Sequence, residues 1–198
     1  MIATKANVLK WAEAATDEQV IAGLDWYDDV REFVYRLSAE YHIPAADVAG
    51  AFAALSPRIT VDMNYRATTA IVKSVCRGET PAGTTIPGVF SNVLKAGLII
   101  YSGWASVSWD KAPKTWAFFQ NIVDPHSADI TIDIWAERVA YDNPKFQTTG
   151  GPNGASYARV ADVYLQAALE LNIQPCKLQA ITWIAMREGP QMELAFGG

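Results

Sequence analysis

Residues Trp109–Ala140 read WDKAPKTWAFFQNIVDPHSADITIDIWAERVA. The segment opens on a polar turn with Lys111, Pro113 and Lys114, then runs apolar and helix-like from Trp116 to Val123. A polar loop follows, and after it Ile130-Thr131-Ile132-Asp133-Ile134-Trp135. Asp133 is the odd residue, a carboxylate set among Ile132, Ile134 and Trp135, and aspartate is rarely buried unless something there needs it. Placed directly before Ile134-Trp135-Ala136-Glu137-Arg138, it also reads as a helix cap, and the two roles are compatible. Lys114 stands nineteen positions earlier at the start of the preceding helix, where an isolated lysine is most simply a solvated first-turn residue. An amine and a carboxylate at the mouths of two successive helices can converge on one cleft. That convergence is the expectation for Lys114 and Asp133.

Working outward, both flanks read as helix. Upstream, Val89 to Tyr101 is an apolar helix stopped by Gly103, and residues 79–88 (ETPAGTTIPG) before it are turn-rich. Thr60 caps a helix from about Val61 to Cys76, with Gly78 as its stop. Ala45 to Leu55 follows Pro44 and is small and apolar throughout, which predicts a central helix closely approached by its neighbours; Ser56-Pro57 ends it. A helix from about Trp26 to Tyr41 places Val30, Phe33, Val34, Leu37 and Tyr41 at three- and four-residue spacing. Thr16-Asp17-Glu18-Gln19 has the pattern of a capping box, and Val8, Leu9 and Trp11 share one side of a short first segment. Downstream, Tyr141 to Ala155 is a polar loop whose glycines lack the spacing of a phosphate-binding loop. Two helices follow, about Ser156–Leu171 and Pro175–Arg187, and the tail EGPQMELAFGG reads as loose. No strand-like alternation persists. The fold class is all-α, in a single domain over residues 1–198.

With 51% hydrophobic residues, seven Trp and seven Phe, the chain has the material for a packed core and is not a disordered protein. The first residues, MIATKANVLKWAEAATDEQ, lack the apolar stretch of a signal peptide, and the most apolar windows are too short to span a bilayer. A soluble, cytoplasmic protein without membrane association is the expectation. Cys76 and Cys176 read as two buried thiols in a reducing compartment. His42 and His126, the only histidines, are too few for a zinc or facial-triad site, so no metal is expected. The net charge of −5 counts against a dedicated nucleic-acid binder. Its distribution is uneven. From Arg58 to Lys114 seven basic residues face three acids (Asp62, Glu79 and Asp110), a local balance compatible with a phosphate-binding face.

Four stretches, taken in order, resemble the helix-hairpin-helix DNA glycosylase superfamily, the group containing endonuclease III and the 8-oxoguanine glycosylases. They are Ala53-Ala54-Leu55-Ser56-Pro57-Arg58-Ile59-Thr60 with Asn64 and Ala67, Phe90-Ser91-Asn92-Val93-Leu94-Lys95-Ala96, Lys111-Ala112-Pro113-Lys114-Thr115-Trp116-Ala117, and Ile130 to Trp135 with Arg138-Val139. The spacing of Lys114 and Asp133 is about that of the lyase members, and the likeness covers roughly Ala49 to Arg187. The resemblance implies a glycosylase-like helical core over about residues 45–187, with N-terminal helices 1–44 packed on it. It implies base excision from double-stranded DNA with the base flipped out, with or without AP-lyase activity, and no cofactor. Asp133 would stabilise positive charge on the deoxyribose, and Lys114 would attack the sugar. Arg58, Lys111, Thr115, Asn92 and Lys95 would contact DNA, and Trp135 and Trp116 would line the base pocket.

Departures from the pattern are visible. The hairpin positions Trp109 to Pro113 contain no glycine, Pro113 removes an amide donor, and the iron–sulfur cysteines of some members are absent. Two other readings stand beside this one: a relative acting on hypermodified pyrimidines such as those of phage DNA, and a non-catalytic helical module that binds DNA or another protein. A basic cleft flanking Asp133 favours either enzyme; an acidic or filled one favours the module. Residue by residue, Arg58 also reads as a surface or carboxylate-pairing side chain, and Trp116 and Trp135 as core.

Overall fold

The structure of the protein, a computed structural model, describes residues 2–80, 86–149 and 152–189. Among these are nine α-helices and no strand. They are α1 (Lys5–Glu13), α2 (Asp17–Tyr41), α3 (Ala45–Leu55), α4 (Val61–Cys76), α5 (Phe90–Ser102), α6 (Pro113–Val123), α7 (Ile134–Ala140), α8 (Gly154–Leu171) and α9 (Pro175–Glu188). The all-α expectation holds. Residues 81–85 of the expected turn, 150–151 of the glycine-containing loop and 190–198 of the expected loose tail lie outside the described residues. No described helix is long and apolar enough to cross a membrane.

Helix starts follow local chemistry. Thr60 Oγ1 accepts from Met63 N (3.3 Å) at the start of α4, and Pro113 and Pro175 occupy first turns, where a missing N–H costs nothing. At α2 the capping box is complete: Thr16 N donates to Gln19 Oε1 (3.1 Å) and Gln19 N to Thr16 Oγ1 (3.3 Å). That box opens a 25-residue helix, so α2 begins nine residues ahead of the expected Trp26. Gly23 obscured the continuity, because an interior glycine disfavours helix by about 1 kcal/mol.

Two compact units divide the described chain: residues up to Asp28 together with those from His126 form the first, and Asp29–Pro125 the second. In the first, α1 packs on α7, α8 and α9, around a core that includes Val8, Ile132, Val139, Tyr164 and Leu178. Gly23 of α2 meets α9 at close range; a Cβ there would lie 2.6 Å from both the N and Cα of Ile181. Gly23→Ala is therefore expected to destabilise by about 1–3 kcal/mol in urea titration, even though alanine is the better helix former. A stabilised variant would mean that this approach is looser than described.

In the second unit α3 packs against α4, α5 and α6, and every residue from Val48 to Leu55 is buried. Its central position, expected from the alanine run, holds. Phe52 meets Phe33, Tyr65 and Phe118 at ring distances of 5.9, 5.3 and 5.9 Å. Buried Asp47 accepts from Trp104 N (2.7 Å), fixing a 3₁₀ turn at Trp104–Ser106, and Asn64 Nδ2 donates to Phe52 O (3.0 Å). On α5, Phe90, Leu94, Leu98 and Tyr101 are exposed and recur every three or four positions, so they share one outward stripe. One expectation about the thiols is corrected: Cys176 is buried, but Cys76 is exposed, because it is the last residue of α4 and the chain leaves the core there.

Candidate functional site

Asp133 is half-buried and has extended backbone (φ −113°, ψ −174°), one residue before α7. Its Oδ1 accepts from Trp135 N and Ala136 N, both at 2.9 Å, so the carboxylate is fixed at the N-terminus of the helix. The cap reading is correct. What the sequence did not show is how the strand-like approach to this cap is held. Tyr157 of α8 donates its hydroxyl to Ile130 O (2.6 Å) and accepts from Ile132 N (3.3 Å). Tyr27 of α2 donates to Thr131 Oγ1 (3.2 Å). Tyr157 thus satisfies two backbone groups of this segment, and Tyr27 holds its threonine hydroxyl.

Those phenols also respond to the carboxylate. Burial raises the pKa of Tyr157 to about 12; its bond from Ile132 N–H opposes the rise, and the charges of Asp129 and Asp133 add to it. Tyr27 and Tyr164 are raised above the ordinary tyrosine value, chiefly by burial and partly by Asp133. A raised folded-state pKa gives a stability contribution that is complete below the unfolded value near 10 and lost as pH climbs through about 12. Ionised Tyr157 also has no proton to give Ile130 O. Tyr157→Phe should accordingly flatten the fall in Tm of the wild type between about pH 10 and 12. Parallel curves would show that this phenol does not couple to folding.

Around α7, Trp135 packs against the first unit's core, with the Arg138 guanidinium 4.4 Å over its ring. Arg138 Nε also donates to Phe146 O (3.3 Å). Glu137, one helical turn after Asp133, is fully buried and accepts from Thr148 Oγ1 (2.5 Å) and Thr148 N (3.4 Å). Sequence reasoning passed over Glu137 as a helix residue. The only signal was its four-residue spacing from Asp133, which aligns two carboxylates on one side of α7.

The remaining expected residues belong to the second unit. Asn92 and Lys95 are half-buried on α5, Lys111 is exposed in the α5–α6 loop, and Lys114, Thr115 and Trp116 are half-buried in the first two turns of α6. Helix–loop–helix geometry therefore gathers six of the nine expected residues along one segment. Arg58 is exposed in the α3–α4 turn with φ +68°, a left-handed conformation unusual outside glycine. Lys95 is turned inward: its ammonium lies 4.2 Å over the Trp109 ring and donates to Ser108 O (3.3 Å), and burial lowers its pKa. Trp116 lines a cleft of about 510 Å³ together with Trp104, Trp109 and Asp110. Lys114 and Asp133 thus belong to different compact units, each with its own core.

Among the described residues, no cluster of three or more His, Cys, Asp or Glu is arranged to hold a metal ion. Neither a curated protein nor a solved structure matches the chain. Residues 2–190 do match a family model described as a family of unknown function (DUF7178), and the chain belongs to that family.

Proposed function

We propose that the protein is a DNA base-excision enzyme, a glycosylase with Asp133 as its charge-stabilising carboxylate, with or without a lyase step in which Lys114 supplies the amine. The observation that supports this best is the posture of Asp133: a carboxylate held by two backbone N–H groups at a helix mouth, on an extended segment anchored by tyrosine hydroxyls. A negative charge so fixed needs no reorganisation when positive charge develops beside it. Support also comes from the order of the four resembling stretches and from the helix–loop–helix that bears Lys111 and Lys114.

In this reading the C1′–N bond of a flipped nucleotide breaks and its electron pair leaves with the base, which takes up a proton. Asp133 stabilises the resulting oxocarbenium character. Water then adds at C1′ and loses a proton. Alternatively the Lys114 amine adds at C1′, the sugar ring opens to an imine, and loss of a proton and the 3′ phosphate cleaves the strand.

The test is a panel of duplex oligonucleotides with damaged or hypermodified bases, incubated at low salt because phosphate contacts weaken steeply with salt. Release of a base supports the reading and identifies the substrate. Lys114→Ala should abolish any borohydride-trapped protein–DNA adduct while base release by water persists. An adduct undiminished in Lys114→Ala would move the amine elsewhere. Should the whole panel stay intact with no shift in DNA mobility, the non-catalytic module becomes the better account.

A further inference from the structure

The α5–α6 loop holds a cleft whose walls are unusually aromatic. Trp104 and Trp116 face it half-buried, with ring centroids 6.1 Å apart and planes tilted by 42°. Trp109 is buried and rigidly placed: its ring stacks on Phe119 (5.5 Å, 10°), its Nε1 donates to Trp104 O (3.2 Å), and the Lys95 ammonium lies over it. The cleft's volume of about 510 Å³ falls in the range usual for small-ligand sites. Ser108 and Asp110 are its exposed polar residues, and Asp110 is the only one with a charge. Ser108 Oγ donates to Asp110 Oδ2 (3.1 Å), and Asp110 N donates to the same hydroxyl (3.4 Å), so the turn and the carboxylate are locked together.

Indole faces bind flat rings, and an ionised carboxylate only accepts hydrogen bonds. A ligand satisfying both is planar and bears adjacent N–H donors on one edge. Among nucleobases guanine has that edge, through N1–H and the N2 amino group. Thymine presents one N–H between two carbonyl oxygens, which Asp110 would repel, and adenine and cytosine pair a donor with an acceptor. Lys111, exposed next to Asp110 in the same turn, supplies a cation suited to a nucleotide's phosphate.

The geometry points to a guanine-binding cleft in the α5–α6 loop, with Trp104 and Trp116 as stacking surfaces and Asp110 as the acceptor for the base edge. It uses no part of the chemistry assigned to Asp133, and its test reads binding alone.

Isothermal titration of the full chain with dGMP and dTMP, and with a single-stranded oligothymidine carrying or lacking one central guanine, decides it. dGMP should bind saturably, with dTMP at least tenfold weaker. Asp110→Asn should weaken dGMP at least tenfold and leave dTMP unchanged. Because Asp110 is exposed, that substitution leaves the fold intact, and circular dichroism verifies it. Trp116→Leu should weaken both nucleotides together. A guanine-bearing strand that binds tighter than dGMP identifies a base presented on DNA; the reverse identifies a free nucleotide. No saturable guanine binding in either form, or equal dGMP affinity in wild type and Asp110→Asn, overturns the assignment.

Discussion

Asp133→Asn, on the proposed base-excision reading, is expected to preserve the fold and any DNA affinity while lowering base release by about 10²–10³, the usual effect of removing one preorganised electrostatic partner. The asparagine side chain keeps the size of aspartate and an acceptor oxygen, so Trp135 N and Ala136 N retain their bonds and α7 retains its cap. What disappears is the full negative charge that an oxocarbenium-like transition state needs. The same charge adds a small part to the burial-driven rise of Tyr157, so the phenol's pKa should fall slightly in the variant, a spectroscopic sign independent of turnover. Loss of turnover accompanied by a large fall in Tm would instead make Asp133 a capping residue. Equal inactivity of wild type and Asp133→Asn on every substrate would remove the catalytic assignment.

Leu55→Ala should cost about 2–5 kcal/mol, a large share of the stability of an ordinary domain. Leu55 is fully buried at the last position of α3, the helix that packs on α4, α5 and α6. Its surroundings cannot easily close over the lost volume. Phe52, one turn back, is already engaged with three aromatic rings, and the other residues from Val48 to Ala54 are small, buried and of little reach. The expected signature is a lower urea midpoint with an unchanged slope. A near-neutral result would place Leu55 at the margin of the core.

How far the sequence could be read depended on the range of the interactions involved. α3 and α4 were legible almost to the residue, because Pro44, Ser56-Pro57, Thr60 and Gly78 act within a turn of themselves. The early start of α2 was missed because Gly23 is explained only by Ile181, a residue brought near by tertiary packing. The cap at Asp133 was visible from its neighbours, whereas Tyr27 and Tyr157, which hold its approach, lie far away in sequence. Glu137 was unremarkable until Thr148 met it. The division of Lys114 and Asp133 between two cores has no local signature, and neither does the burial of Asp47 over Trp104 N.

The outward stripe of α5 has a practical consequence for handling the protein. Phe90, Leu94, Leu98 and Tyr101 present apolar surface on a helix whose single charged side chain at neutral pH, Lys95, is turned toward Trp109. No charge along that face opposes its contact with other apolar matter, so colloidal behaviour will be set there rather than by the net charge of −5. Sulfate and phosphate, which strengthen apolar association, will salt the protein out early and retain it on phenyl resin. Low-salt buffers will keep it dispersed.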